Sequence, residues 1–283
     1  MYTFTKKISI VAMWFASGIL LAQSPWTEKK NEMYFQLSFS TIAGYSELFG
    51  NPSYDTERQI TDNTLQLYGI YGLSNKTSLF ANIPLKMVSS GKLTTLSNTG
   101  SVLTNQESKV AFGNIQLGIK HNFYNNKWLL TAELGIEANT GSFYKESGLR
   151  TGYDAWTFTP LISAGRSFNT WYIQAFTGFD VRTNNYSSAF KLGGELGYKA
   201  LDWLWVAGFL DGLASLKNGE TTQSISNVLT GLYVNDQSYA AFGFKLIGQI
   251  NNKLGINAAA GGAFAGRNVA KMAAFNLGLY YKP

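Results

Sequence analysis

Apolar and polar residues alternate one for one through most of this chain, most clearly from Tyr153 to Arg182. Trp156, Phe158, Pro160, Ile162 and Ala164 share one face and Thr157, Thr159, Ser163 and Gly165 the other, the period of two that a pleated strand imposes. Leu161 is the exception. After a turn at Ser167 to Thr170, Trp171, Ile173, Ala175, Phe179 and Val181 alternate with Tyr172, Gln174, Gly178, Asp180 and Arg182, which completes a β-hairpin.

The same pattern predicts ten further strands, near residues 32–41, 61–71, 77–88, 110–122, 128–138, 189–198, 203–212, 239–250, 254–264 and 272–281. Residues 203–212 are apolar on both faces, so their phase stays open. Most of these runs exceed the five or six residues typical of a soluble sheet and match the roughly 9 to 11 that a tilted strand needs to cross a bilayer. The connections sort into two classes in alternation. They are short near Gly72, Tyr124, Ser167, Ala200 and Asn251, and longer at 42–58, 89–109, 139–152, 213–236 and 265–271, with a short exception near Asn184. An even-stranded barrel with short periplasmic turns and longer extracellular loops has this signature.

Aromatic residues gather at strand ends. Trp128, Trp171 and Trp203 follow short turns, with Tyr71, Phe123, Phe168, Tyr198 and Tyr281 at the same level. These predict a periplasmic girdle, and Tyr153, Trp156, Phe179 and Phe190 an outer one. Residues 23–31, a polar lead-in, are expected to form a periplasmic stub.

Composition changes this picture little. Lys6 and Lys7, the apolar run Ile8 to Leu21 and the small Ala22 predict a secretory signal peptide over 1–22, leaving 23–283 as one barrel domain. Mean hydropathy is near neutral, which a barrel with a polar lumen also gives. There is no cysteine, which excludes disulfides, Cys-ligated zinc and a lipid-modified N-terminal Cys. Without Lys6 and Lys7 the formal charge falls from +6 to +4, with no basic cluster to hold nucleic acid.

Candidate chemistry is sparse. The one histidine, His121, is expected at the periplasmic rim, away from the outer rim where membrane acyl-modifying enzymes place their catalytic groups. Gly193-Gly194-Glu195-Leu196-Gly197 lies inside a strand with no helix after it, so it lacks the basis for cradling phosphate and reads as small residues where backbones crowd. No spacing calls for a metal or other cofactor. The lumen face carries the informative charges: Lys86, Lys120, Arg182, Lys191, Lys199 and Lys245 against Glu133, Glu137, Asp180, Glu195 and Asp211. Interior charges brace a barrel wall by pairing, and a narrow polar channel needs the same residues. Asp180 and Lys191 are expected to pair across neighbouring strands.

The stretch Gly113-Asn114-Ile115-Gln116-Leu117-Gly118-Ile119-Lys120, followed by Asn139-Thr140-Gly141, Gly148-Leu149-Arg150-Thr151-Gly152 and Gly197-Tyr198-Lys199, resembles the outer-membrane barrel family named for the meta-pathway of phenol degradation. The family more often has Asp at the place of Asn114 and Pro at that of Asn139. The resemblance implies a porin-like transporter of small solutes, aromatic or hydrophobic ones among them, and assigns no functional residues. The expectation is therefore an all-β, twelve-stranded antiparallel transmembrane barrel in the outer membrane of a double-membraned bacterium. Its partners are outer-membrane lipid and a small-molecule solute, with no enzyme activity. The alternatives are a non-conducting structural or ligand-binding barrel and, less favoured, a lipid-modifying enzyme.

Overall fold

The computed structural model describes residues 23–94 and 102–283. The expected signal peptide and part of the 89–109 loop lie outside the described residues. Twelve antiparallel strands form the wall: β1 Met33–Leu48, β2 Tyr54–Gly72, β3 Thr77–Ser90, β4 in two pieces (Glu107–Phe112 and Gln116–Asn125), β5 Leu129–Glu137 and β6 Thr157–Ser167. They continue with β7 Trp171–Arg182, β8 Ala189–Leu201, β9 Leu204–Ser215, β10 Ser238–Gln249, β11 Leu254–Arg267 and β12 Ala274–Tyr281. Each pairs with the next in sequence, and β12 returns to β1 with Phe35 opposite Tyr281 and Thr41 opposite Phe275. A sheet closed in this way satisfies its backbone groups without water, as a bilayer requires.

The barrel is apolar outside and polar within. On β1, Phe35, Leu37 and Phe39 are 41–47% exposed, whereas Tyr34, Gln36 and Ser38 are 1–3% exposed. A soluble protein would bury the first set. Here the outward set continues round the wall through Leu117, Leu134, Ile162, Leu192, Phe244 and Leu277, which is the belt of a transmembrane barrel.

Strand ends depart from the periodicity where pairing outlasts the membrane. β1 and β2 are 16 and 19 residues long and stay paired to Leu48 and Tyr54. Most of the expected 42–58 loop is thus a ribbon projecting beyond the barrel, kinked by irregularities between Ile42 and Glu47. β4 is broken rather than continuous: Gly113 to Ile115 leave the ladder, and Gly113 N–H donates to Pro84 O. The phase of β9 is settled, with Trp205, Ala207, Phe209 and Leu213 inward and Leu210 outward. Both its faces are apolar because the lumen holds aromatic filling on this side.

That filling explains the strand glycines. A Cβ on Gly193 would come within 2.4 Å of the Phe176 ring, and one on Gly197 within 2.1 Å of the Tyr172 ring. Gly193 and Gly197 make room for inward rings, whereas Gly194 stands where backbones crowd, since a Cβ there would lie 2.7 Å from Gln174 O. Leu161, the exception in the alternation, joins Phe176 and Phe209 in the same internal cluster.

Candidate functional site

Three structures divide the lumen along its axis. At the short-turn end, residues 23–31 enter the barrel instead of forming a stub outside it. Lys120 Nζ donates to Ser24 O at 3.0 Å, Thr131 Oγ1 to Pro25 O at 2.5 Å, and Glu28 N–H to Ser78 Oγ at 2.9 Å. Trp26 meets Tyr172 edge-on at 5.8 Å and packs against the buried group of Tyr172, Trp205, Ala207 and Ile247. Gly72 allows the entry, since a Cβ there would lie 1.9 Å from Lys29 O. The lead-in shows no alternation because it is not a strand, and Trp26, an apolar ring in a polar run, is its one trace in the sequence.

At the long-loop end the connections fold inward as a cap. Leu149 and Leu232 pack on Tyr45, Leu48, Ile60 and Val88 from the projecting strands. Arg58 ties three loops together, donating to Thr104 Oγ1 at 2.6 Å, Ser147 O at 2.6 Å and Ser226 O at 2.9 Å. Arg150 Nε donates to Asn227 Oδ1 at 3.0 Å, and Asn227 Nδ2 to Gly148 O at 2.9 Å, beside the one-turn helix α1, Ile225–Val228. Tyr153, expected in the outer girdle, faces inward instead, edge-on to Tyr186 and Tyr233 and over the Arg182 guanidinium. Trp156 and Phe179 remain outward.

Between plug and cap lies a polar chamber of about 390 Å³. Of the sequence-predicted lumen residues, Lys86, Glu133, Glu137, Asp180 and Lys191 line it, with Gln23 of the plug and Asp62, Asn82 and Gln116 of the wall. Lys86 Nζ lies 2.5 Å from Asp62 Oδ1 and donates to Thr64 Oγ1 at 2.8 Å. Asp180 accepts from Thr159 Oγ1 at 2.8 Å and faces Arg182 Nη2 at 3.2 Å and Lys191 Nζ at 3.5 Å. Lys191 stands opposite Gly178 and Asp180 opposite Ala189, so the pair is diagonal, with Arg182 as a third member. Glu137 lines the chamber with no cationic nitrogen within 4 Å among the described residues.

The remaining expected residues brace the wall and do not line the chamber. Lys120 Nζ, fully buried, is 3.3 Å from Glu133 Oε2 of the chamber wall. Glu195 takes the Tyr172 hydroxyl on one oxygen and the Lys245 ammonium on the other. Asp211 accepts from Tyr239 Oη at 3.1 Å, and Lys199 lies at the turn end, 3.0 Å from Asp202. His121 points outward, its Nδ1 2.9 Å from Thr77 Oγ1. Asp62 was not singled out from the sequence, and the signal that could have found it is its period-two spacing from Thr64 on the inner face. Gln23 carries no such signal.

The break in β4 is the other feature that alternation misses, and the quoted motif residues build it. Asn114 Oδ1 accepts Gly141 N–H at 2.9 Å and its Nδ2 donates to Tyr153 O at 2.9 Å. Thr140 Oγ1 donates to Gly113 O and accepts Ile115 N–H, while Thr151 Oγ1 donates to Phe112 O. Gly141 and Gly152 touch backbone to backbone. Glu107–Phe112 is therefore paired to β3 on one edge, and the loop meets its end at Phe112 O. Just below, an outer-face groove of about 500 Å³ is lined by Leu79, Ile115, Leu117, Leu134, Ile136 and Trp156.

The family model described as "Putative MetA-pathway of phenol degradation" matches residues 43–279. Among solved structures, the chain is similar to the COG4313 outer membrane channel from Pseudomonas putida F1, at 15% identity and a TM-score of 0.69, covering 91% of this chain and 97% of that one. It is also similar to the translocator domain of the autotransporter NalP from Neisseria meningitidis, at 10% identity and a TM-score of 0.54, covering 92% of this chain and 91% of that one. The NanC porin shares 7% identity at a TM-score of 0.53, with 89% of this chain and all of that one covered. No curated protein matches the sequence. With the family model spanning most of the chain and the motif residues in place at the β4 break, the protein belongs to the family described as the MetA-pathway of phenol degradation.

Proposed function

We propose that the protein is an outer-membrane channel for passive passage of small solutes, exported by cleavage of residues 1–22 and oriented with its short turns in the periplasm. The observation that carries this reading is the polar chamber inside a closed wall whose outer surface is apolar. Inward hydroxyl, amide and charged groups replace a solute's hydration, while the wall keeps lipid out. Similarity to proteins described as an outer membrane channel and a porin supports it. Aromatic or hydrophobic solutes fit the groove beside the β4 break, whose lining is aliphatic apart from Phe80 and Trp156. The lumen charges support transport, since Lys86, Glu133, Glu137, Asp180 and Lys191 face the chamber and Lys120, Arg182, Glu195 and Lys245 are paired with opposite charges.

The test is ion selectivity in planar bilayers. Lys191→Gln removes one chamber cation and leaves Asp180 paired with Arg182, and Glu137→Gln removes the carboxylate without a cationic partner. The first is expected to shift permeability toward cations and the second toward anions. Each change should be about two- to fivefold, because a charge in a narrow polar lumen biases ion occupancy by about 0.5–1 kcal/mol after screening. Absence of current would favour a non-conducting barrel in which these residues only brace the wall, and a current whose reversal potential is unchanged in both variants would mean that ions do not pass them.

A further inference from the structure

The protein's net positive charge is concentrated at the periplasmic rim. Each of the five short turns has one cation in it or next to it, namely Lys76, Lys127, Arg166, Lys199 and Lys253. The chain ends add Lys29, Lys30 and Lys282. Against these eight cations the rim holds three acids, Glu28, Glu32 and Asp202, and each has its own partner: Lys282 at 3.8 Å, Lys29 at 3.7 Å and Lys199 at 3.0 Å. Lys30, Lys76, Lys127, Arg166 and Lys253 have no carboxylate within 4 Å among the described residues. The lumen wall, by contrast, carries five cations and six acids, and the loop end eight of each. The three zones hold +5, −1 and 0, which together make the +4 of residues 23–283.

Two features say what this rim faces. The unpaired cations are spread round the circumference, and the lumen at this end is filled by residues 23–31, so they do not converge on an open mouth. They also share their level with the outward Trp128, Trp171 and Trp203. The Arg166 guanidinium lies 4.5 Å from the centre of the Phe168 ring and 6.0 Å from that of Trp128, within the girdle itself. Such rings lie at headgroup depth, where lipid phosphates are. We propose that the periplasmic rim is a binding surface for anionic phospholipid headgroups of the phosphatidylglycerol type, the four turns of Lys76, Lys127, Arg166 and Lys253 each offering one cation to a phosphodiester of the inner leaflet.

This inference rests on the transmembrane reading but not on conduction, so the experiment reads lipid contact. The mature protein is refolded into phosphatidylcholine vesicles containing a minor fraction of lipid brominated on its acyl chains, either phosphatidylglycerol or phosphatidylcholine, and quenching of tryptophan fluorescence is compared. Brominated phosphatidylglycerol is expected to occupy the rim about fivefold more strongly, the factor given by one cation near a headgroup. High salt should reduce the preference. The fivefold variant Lys30→Gln, Lys76→Gln, Lys127→Gln, Arg166→Gln and Lys253→Gln changes only rim residues and should fold with unaltered heat-modifiable gel mobility, yet lose the preference. Equal quenching by the two lipids in the unaltered protein, or a preference that survives in the variant, would overturn the proposal. Absence of quenching by either lipid would overturn the transmembrane reading with it, whereas a silent channel that still prefers the anionic lipid would leave the proposal standing.

Discussion

Removing residues 23–31 is expected to raise single-channel conductance several-fold while leaving the barrel folded. The segment blocks the lumen with Pro25 and Trp26, yet the register that closes β1 on β12 begins only at Phe35 and uses none of it. The wall groups it leaves behind tolerate its loss: Lys120 keeps Glu133, and the hydroxyls of Ser78 and Thr131 gain water in its place. Trp26→Ala should give an intermediate increase, since it removes the ring against Tyr172 but keeps the backbone contacts. Recordings in planar bilayers decide the matter. An unchanged conductance after the deletion would place the constriction at the cap that Arg58 holds together.

The largest expected effect on stability belongs to the outer face. Leu134→Arg is expected to cost about 2–4 kcal/mol, because Leu134 is 43% exposed on the apolar belt and an arginine there meets hydrocarbon. Gln116→Arg, on the neighbouring strand but lining the chamber, should cost less than about 1 kcal/mol, since it points into water and stands opposite Glu137. Glu133, adjacent to Leu134, is a poor lumen control: it partners the buried Lys120, and losing it would strand that charge. Equilibrium urea titration in vesicles measures both variants. Equal losses would mean that the two faces of β4 and β5 are assigned to the wrong sides.

What the sequence revealed follows from what a period of two can encode. It places a side chain on one face or the other, so the twelve strands, their mostly correct phase and the inward position of Lys86, Glu133, Asp180 and Lys191 were all legible. It does not encode where pairing stops. β1 continues past Gly44 to Leu48 and β2 starts again at Tyr54, because ladder hydrogen bonds persist in water above the barrel, so that only the tip holding Gly50 and Pro52 is the loop that such residues predict. Nor does alternation describe chain that is not a strand. The plug, the cap and the stitch at Asn114, Thr140 and Thr151 are held by contacts between residues 25 or more positions apart, which leave no local pattern. β9 was ambiguous for a different reason: Trp205 and Phe209 face a lumen that is aromatic on that side, so the polar half of the alternation is missing.

The absence of cysteine makes the central claim, that solute passes through the lumen, directly measurable. Gln116→Cys places a single thiol in the chamber wall, and Leu117→Cys places one a residue further on, 60% exposed on the outer face. Each variant, refolded and recorded in a planar bilayer, is treated with a charged, water-soluble methanethiosulfonate. A lumen path requires the current of Gln116→Cys to fall on modification and recover with reductant, while that of Leu117→Cys stays constant. No current from either protein, or a current indifferent to modification at residue 116, would contradict it.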